Sequence, residues 1–265
     1  MGPVVALLTD YGPGSEHVGA LHAVIASRCP EADRVDLAHD IPPGDVRRGA
    51  LVLARLGALA PEGAVLLAVV DPGVGTERRG VAMELRDGGA LVGPDNGLLA
   101  LAAERLGAVR ALELATPAGA AATFHGRDVF APAAAALAAG EELKGPPVDP
   151  ASLRRPELPA PRAGPGWLEA LVVGADRFGN VELLAGEEDL RRAGLAPGER
   201  VVAVVAGAGR RHEATVGRAF ADVPHGGLLV HVDSSGAVAL AVNGGDAADL
   251  LQTGPGLMLA LARGA

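Results

Sequence analysis

The chain predicts an α/β fold in two domains: an N-terminal, mostly parallel sheet covered by helices, followed by a smaller C-terminal antiparallel domain that is barrel-like. Three observations carry that expectation. The first half alternates short β-branched runs with longer helical patterns, residues 145–166 are rich in proline without apolar periodicity, and the remainder consists of short β runs separated by glycine turns. Alternating strands and helices bury a parallel sheet between helical layers. A proline-rich stretch reads as an extended connection, and regularly spaced short strands read as a small antiparallel sheet or barrel.

In chain order, residues 4–8 are an unbroken apolar run of strand length, and residues 16–27 carry a helical pattern. A strand over 34–37, a helix over 45–59 behind Pro42-Pro43, and a buried strand over 64–70 follow. Another strand spans 81–85, and helices are expected over 96–106 and, alanine-rich, over 130–139. The domain boundaries read as 1–150, a linker over 151–166, and 167–265. Within the last, strands are expected at 168–173, 201–205, 212–216, 228–232 and 238–242. In parallel sheets ligands gather beyond the carboxyl ends of the strands. Asp10 after the first strand and Asp71 after the third therefore fall on the expected rim.

Composition narrows the function. A net charge of -9 over 265 residues argues against a nucleic-acid or anionic-membrane binder, which leaves a small-molecule partner. The single cysteine, Cys29, allows no intramolecular disulfide and no cysteine-based zinc site, and fits a reducing cytoplasm. No signal-like leader and no run of roughly 18 apolar residues is visible. The histidines His17, His22, His39, His212, His225 and His231 lack i, i+4 ligand spacing, so no metal site is expected.

Six polar motifs interrupt this apolar background. Leu8-Thr9-Asp10-Tyr11-Gly12 places a carboxylate where a strand leaves into a loop, as ordinary turn chemistry or as an acceptor for a vicinal diol. Val70-Asp71-Pro72-Gly73-Val74-Gly75-Thr76-Glu77-Arg78 turns sharply and has neither dinucleotide nor Walker spacing. An Asp paired with a nearby Arg is expected to stay ionised with a depressed pKa, suited to holding a polarised water. Gly93-Pro94-Asp95-Asn96-Gly97 most simply caps the next helix through Asp95 or Asn96, although a cap can also line a pocket. Thr123-Phe124-His125-Gly126-Arg127-Asp128 puts an imidazole beside glycine in a loop, with Asp128 a possible cap and Arg127 its partner. Asp176-Arg177-Phe178-Gly179-Asn180 and Ser234-Ser235-Gly236, ahead of Asn243, read as hairpin turns.

Taken in order, these motifs resemble the S-adenosylmethionine hydroxide adenosyltransferases, relatives of fluorinase and chlorinase, from Thr9 to about Asn243. The resemblance implies hydrolysis of S-adenosyl-L-methionine to adenosine and L-methionine without a cofactor or metal, in a homotrimer with active sites at subunit interfaces. It implies a catalytic trio of Asp71, Arg78 and His125 that activates water. It assigns Asp10 to the ribose diol, Asp176 and Ser234 to the methionine end, and Asn180 and Asn243 to adenine or its surroundings, with Asn96 and Phe124 completing the substrate site. Fluorinase-like members carry Tyr, Ser and Arg where this chain has Asp71, Gly126 and Ser235, which speaks against halide as nucleophile. Halide-dependent adenosyl transfer and a non-catalytic S-adenosylmethionine- or adenosine-binding module are the alternatives.

Overall fold

The computed structural model describes residues 2–142, 144–207 and 209–264, and the chain divides into two compact units, Met1–Glu157 and Leu158–Ala265.

The first unit runs β1 (Val4–Thr9), α1 (Glu16–Arg28), β2 (Asp33–Ala38), α2 (Val46–Gly57), β3 (Val65–Val69), β4 (Gly80–Leu85), β5 (Ala90–Pro94), α3 (Ala100–Leu106), β6 (Ala108–Leu114), α4 (Ala131–Ala138) and β7 (Pro147–Val148). The sheet order is β2-β1-β3-β5-β4-β6-β7. The first four strands are parallel, and β4, β6 and β7 extend the sheet antiparallel. Every residue of β3 is buried, as a strand covered on both faces must be. Period-two alternation sorts β1 between the layers: Val5 and Leu7 join Leu21 and Ile25 of α1 and the alanines of α4, while Ala6 and Leu8 join Leu53 of α2 and Ala102 of α3. Ser15 and Asp45 cap α1 and α2 by accepting from the His17 and Arg48 amides.

Two local expectations are corrected. The helix expected from residue 96 begins at Ala100, behind a cap at Leu99 that makes no side-chain bond. Asn96 instead closes the preceding turn, its Oδ1 accepting the Leu98 amide at 3.1 Å. The alanine-rich helix is preceded by a π-helical turn over Gly126–Phe130, an irregularity that often marks functional sites. Strands β5, β6 and β7, absent from the sequence reading, complete the sheet.

The second unit runs β8 (Arg162–Gly164), β9 (Trp167–Ala175), β10 (Val181–Gly186), α5 (Glu187–Arg192), β11 (Arg200–Val205), β12 (Arg211–Val216), β13 (Leu228–Val232), β14 (Ala237–Val242), α6 (Ala247–Leu251) and β15 (Met258–Arg263). The order β10-β14-β13-β12-β11-β15-β9 closes on itself through β9–β10 pairing into a seven-stranded barrel, with β8 added outside β9. The pairs are antiparallel apart from β12–β13. Strict alternation in β10 and β11 sends Val181, Leu183, Val201 and Ala203 into the barrel core. No helix among the described residues is long and apolar enough to cross a membrane.

Candidate active site

Strands β1 and β3 are parallel neighbours with Thr9 opposite Val69. That register sets Asp10 and the segment leading to Asp71 side by side at their carboxyl ends, and the Asp10 amide approaches the Val69 carbonyl at 3.4 Å. Beyond these ends lies a cavity of about 380 Å³ whose lining includes Asp10, Tyr11, Gly44, Asp71, Thr123 and Gly126.

The structure brings Asp71, Arg78 and His125 together. Arg78 Nε donates to Asp71 Oδ1 at 3.2 Å and its Nη2 donates to Oδ2, a two-pronged pair in which each side chain is 5% exposed. The same Nη2 lies 3.2 Å from His125 Nδ1. Since a guanidinium only donates, Nδ1 accepts and Nε2 carries the ring hydrogen. Phe130 supports the guanidinium from below, its ring centroid 5.3 Å from Arg78 Cζ. Asp71 alone of the trio lines the cavity; Arg78 and His125 stand behind it.

The protonation behaviour of Asp71 differs from the expected depression. Burial pushes its carboxyl above the ordinary range, and the opposing pull of Arg78, His125 and the Gly73 amide does not cancel that push. Tyr11 is also pushed upward, by burial first and then by the Asp10 and Asp71 charges, so its hydroxyl remains a donor.

Glycines allow the loops to meet. Gly75 has φ +79°, and a Cβ there would lie 2.6 Å from the Ala122 carbonyl oxygen, so the Asp71 loop packs on the 121–123 loop only with glycine at this position. A Cβ on Gly126 would stand 2.4 Å from the Tyr11 hydroxyl. Asp128 holds the loop from the other side: its Oδ2 accepts the Ala121 amide at 2.8 Å while Arg127 grips both of its oxygens. Its bond therefore runs back to the loop, which corrects the reading of Asp128 as a cap for the following helix.

The remaining expected site residues separate into three groups. Asp10 faces the cavity, and its Oδ2 accepts the Gly44 amide at 2.8 Å. Asp176, Asn180 and Ser234 share a second cavity of about 480 Å³ within the second unit, where Asp176 accepts the Phe178 and Asn180 amides and the Asn180 side chain. Asn96, Phe124 and Asn243 line neither cavity. Asn96 Nδ2 donates to the Val70 carbonyl at 2.9 Å and so braces the residue before Asp71. Phe124 packs edge-on to Tyr11 and beneath Arg127, and Asn243 Nδ2 donates to the Val223 carbonyl. Asp95, considered as a cap, is instead a buried anchor for Arg79 and the Arg154 amide.

Tyr11, Gly44 and Thr123 were missed as cavity residues. Tyr11 carried a signal, being the sole tyrosine of an aromatic-poor chain and adjacent to Asp10. The one grouping of metal-ligating side chains found among the described residues, His22, Asp36 and His39, lies outside this lining.

Known proteins are similar to this chain along nearly its whole length. The family described as SAM hydroxide adenosyltransferase matches in both parts, its N-terminal domain over residues 5–145 and its C-terminal domain over residues 170–259. The chain is 49% identical to an (R)-S-adenosyl-L-methionine hydrolase of Salinispora arenicola, covering 99% of this chain and 98% of that one. It is 42% identical to a protein of the same name from Thermus thermophilus, over 97% and 98%. A fluorinase from an Actinoplanes species is more distant, at 28% identity over 91% of each. A crystal structure of an uncharacterized conserved protein from Thermotoga maritima superposes with a TM-score of 0.89 at 34% identity, over 98% of this chain and 100% of that one.

Proposed function

This chain belongs to the SAM hydroxide adenosyltransferase family, and from that premise we propose how its own residues act as it hydrolyses S-adenosyl-L-methionine to adenosine and L-methionine. The sulfonium draws electron density from C5′. Water attacks that carbon opposite the C5′–S bond, the bond's electron pair passes to sulfur, and methionine leaves as a neutral thioether. The attacking oxygen must lose one proton. We assign that proton to Asp71, which then releases it to solvent.

The observation that carries this reading is the seating of Asp71: it lines the cavity with its carboxyl pushed upward by burial yet clamped by Arg78. Basicity above the ordinary carboxylate range improves a general base, and general-base catalysis contributes roughly 10²–10⁴-fold. Arg78 and His125 act through Asp71 as positioning residues. Alignment of one water with C5′ supplies a further contribution, since well-oriented reactants gain about 7–11 kcal/mol in intramolecular systems. The sulfonium is itself the leaving group, so the scheme is written without a cofactor.

Asp10, on the same rim, is proposed to accept from the ribose diol. Asp176 and Ser234 are assigned to the methionine end and Asn180 to adenine, while Asn96, Phe124 and Asn243 support the site from behind. The relatives' names specify the (R) sulfonium, and we extend that preference to this chain. We also propose a homotrimer with active sites at subunit interfaces, measurable by light scattering, and a cytoplasmic location.

Asp71→Asn tests the central assignment. Adenosine formation, followed chromatographically, should fall by roughly 10²–10⁴-fold, while calorimetric binding of the substrate persists. Undiminished turnover in a folded Asp71→Asn protein would remove Asp71 as the base.

A further inference from the structure

We propose that His22, Asp36 and His39 form a binding site for a divalent transition metal of the zinc class, tying α1 to the carboxyl end of β2 beneath the active-site loop. His22 lies on α1, Asp36 on β2 and His39 just beyond it. His22 Nε2 is 2.8 Å and His39 Nε2 3.0 Å from the same Asp36 oxygen, and the donor atoms of all three lie within 4.8 Å of one another.

An ordinary ion-pair cluster does not account for His39. The residue is 8% exposed, and its Nε2, 3.0 Å from Asp36 Oδ1, makes no well-formed hydrogen bond there. A buried ring nitrogen left without a partner loses free energy. Its other nitrogen, Nδ1, lies 2.8 Å from Thr9 Oγ1, which is fully buried and also accepts the Tyr11 amide. A metal-ligating histidine characteristically donates its second ring N–H to an oxygen acceptor, which fixes the tautomer with a lone pair toward the ion. Thr9 is placed to be that acceptor.

The donor set also fits. Two imidazoles and one carboxylate suit zinc and its first-row neighbours. With ligand bonds of roughly 2.0–2.2 Å, tetrahedral ligand atoms stand about 3.3 Å apart, so each histidine–Asp36 pair needs to open by only a few tenths of an ångström. His22 and Asp36 have 30% and 47% exposed side chains and can give way. All three residues line a cavity of about 600 Å³ that leaves room for water to complete the coordination.

The consequence is local order. The His39 carbonyl accepts the Gly12 amide at 2.8 Å, directly after Asp10 and Tyr11. An ion on His39 therefore fixes the support of that turn, and it takes no part in the reaction scheme above. Sequence spacing concealed the site because the ligands come from a helix, a strand and a loop.

Chelator-treated full-length protein titrated with ZnCl₂ by calorimetry tests the proposal. The expected result is saturable binding of one Zn²⁺ per chain, weakened about 100-fold or more in His22→Ala and in Asp36→Asn. Both substitutions lie on the partly exposed side of the cluster, and circular dichroism verifies that each variant is folded. Zn²⁺ should raise the midpoint of thermal unfolding of the parent protein and leave that of His22→Ala unchanged. Absence of saturable binding, or equal affinity in the parent and both variants, overturns the site.

Discussion

Replacing Arg78 by methionine keeps an unbranched side chain but removes both bonds to Asp71, the contact with His125 and the guanidinium over Phe130. Asp71 is then a carboxylate with 5% exposure and no cation. Breaking one side of a buried pair costs about 3–5 kcal/mol, which for a chain of this size lowers the unfolding midpoint by roughly 6–20 °C. The carboxyl, already raised by burial, loses the largest influence opposing that rise and moves further up. Two signs follow. The base must be ionised, so the rate rises with pH through its pKa and the acid limb of the profile moves to higher pH. For stability, a raised carboxyl pKa favours the fold below the ordinary carboxylate range, and that contribution is lost as pH climbs through the raised value. Chromatographic adenosine release across a pH series should show a roughly 10²–10⁴-fold deficit near neutrality that narrows as pH rises. Arg78→Lys, which keeps charge without the fork, should fall between the two. A rate within about threefold of the parent and an unmoved acid limb would show that Arg78 does not position Asp71.

Other substitutions isolate neighbouring supports. Gly126→Ser drives a Cβ to within 2.4 Å of the Tyr11 hydroxyl; overpacking of this kind costs about 1–3 kcal/mol, measurable by denaturant unfolding. Adding Tyr11→Phe, which removes the clashing oxygen, should recover most of that loss, and no recovery would place the strain elsewhere. Asn96→Ala leaves the Val70 carbonyl without its donor and should cost about 1–3 kcal/mol, with kcat falling more than KM rises, because Asn96 braces the residue before Asp71 and lines neither of the two cavities that hold the other expected site residues.

Complete burial made two strands legible in the sequence. Residues 4–8 and 64–70 read as strands because both faces of β1 and β3 are covered and no polar residue interrupts them. β5 and β6 escaped because glycine and proline interrupt the first, while the second carries Arg110 and Glu113 into the sheet's edge region. The start of α3 was misplaced since Asn96 is a fair cap by type, but its side chain closes an earlier turn. Asp71 is legible in the sequence as a carboxylate at a turn after a strand, yet the burial that raises its pKa is something no local pattern reports. Likewise, the meaning of Gly126 lies in Tyr11, more than a hundred residues earlier, and only the fold brings them together.

The identity of residue 71 also bears on which nucleophile the cavity admits. If Asp71 holds the attacking water as proposed, a halide at that position would stand beside its carboxylate. Two like charges about 4 Å apart repel by about 4 kcal/mol at an effective dielectric near 20. Arg78 lies behind the carboxylate and offsets part of this; even half, about 2 kcal/mol, disfavours halide roughly 30-fold. Water pays no such penalty and gains a hydrogen bond to the same carboxylate. Adenosine formation should therefore be insensitive to chloride beyond its ionic-strength effect, with no 5′-chloro-5′-deoxyadenosine formed. Removing the charge with Asp71→Asn should relieve halide exclusion while also removing the base, so halide affinity rises as hydrolysis falls. Appearance of the chlorinated nucleoside from the parent protein in proportion to added chloride would refute the electrostatic account, because a carboxylate facing the nucleophile cannot both repel an anion and present it to C5′.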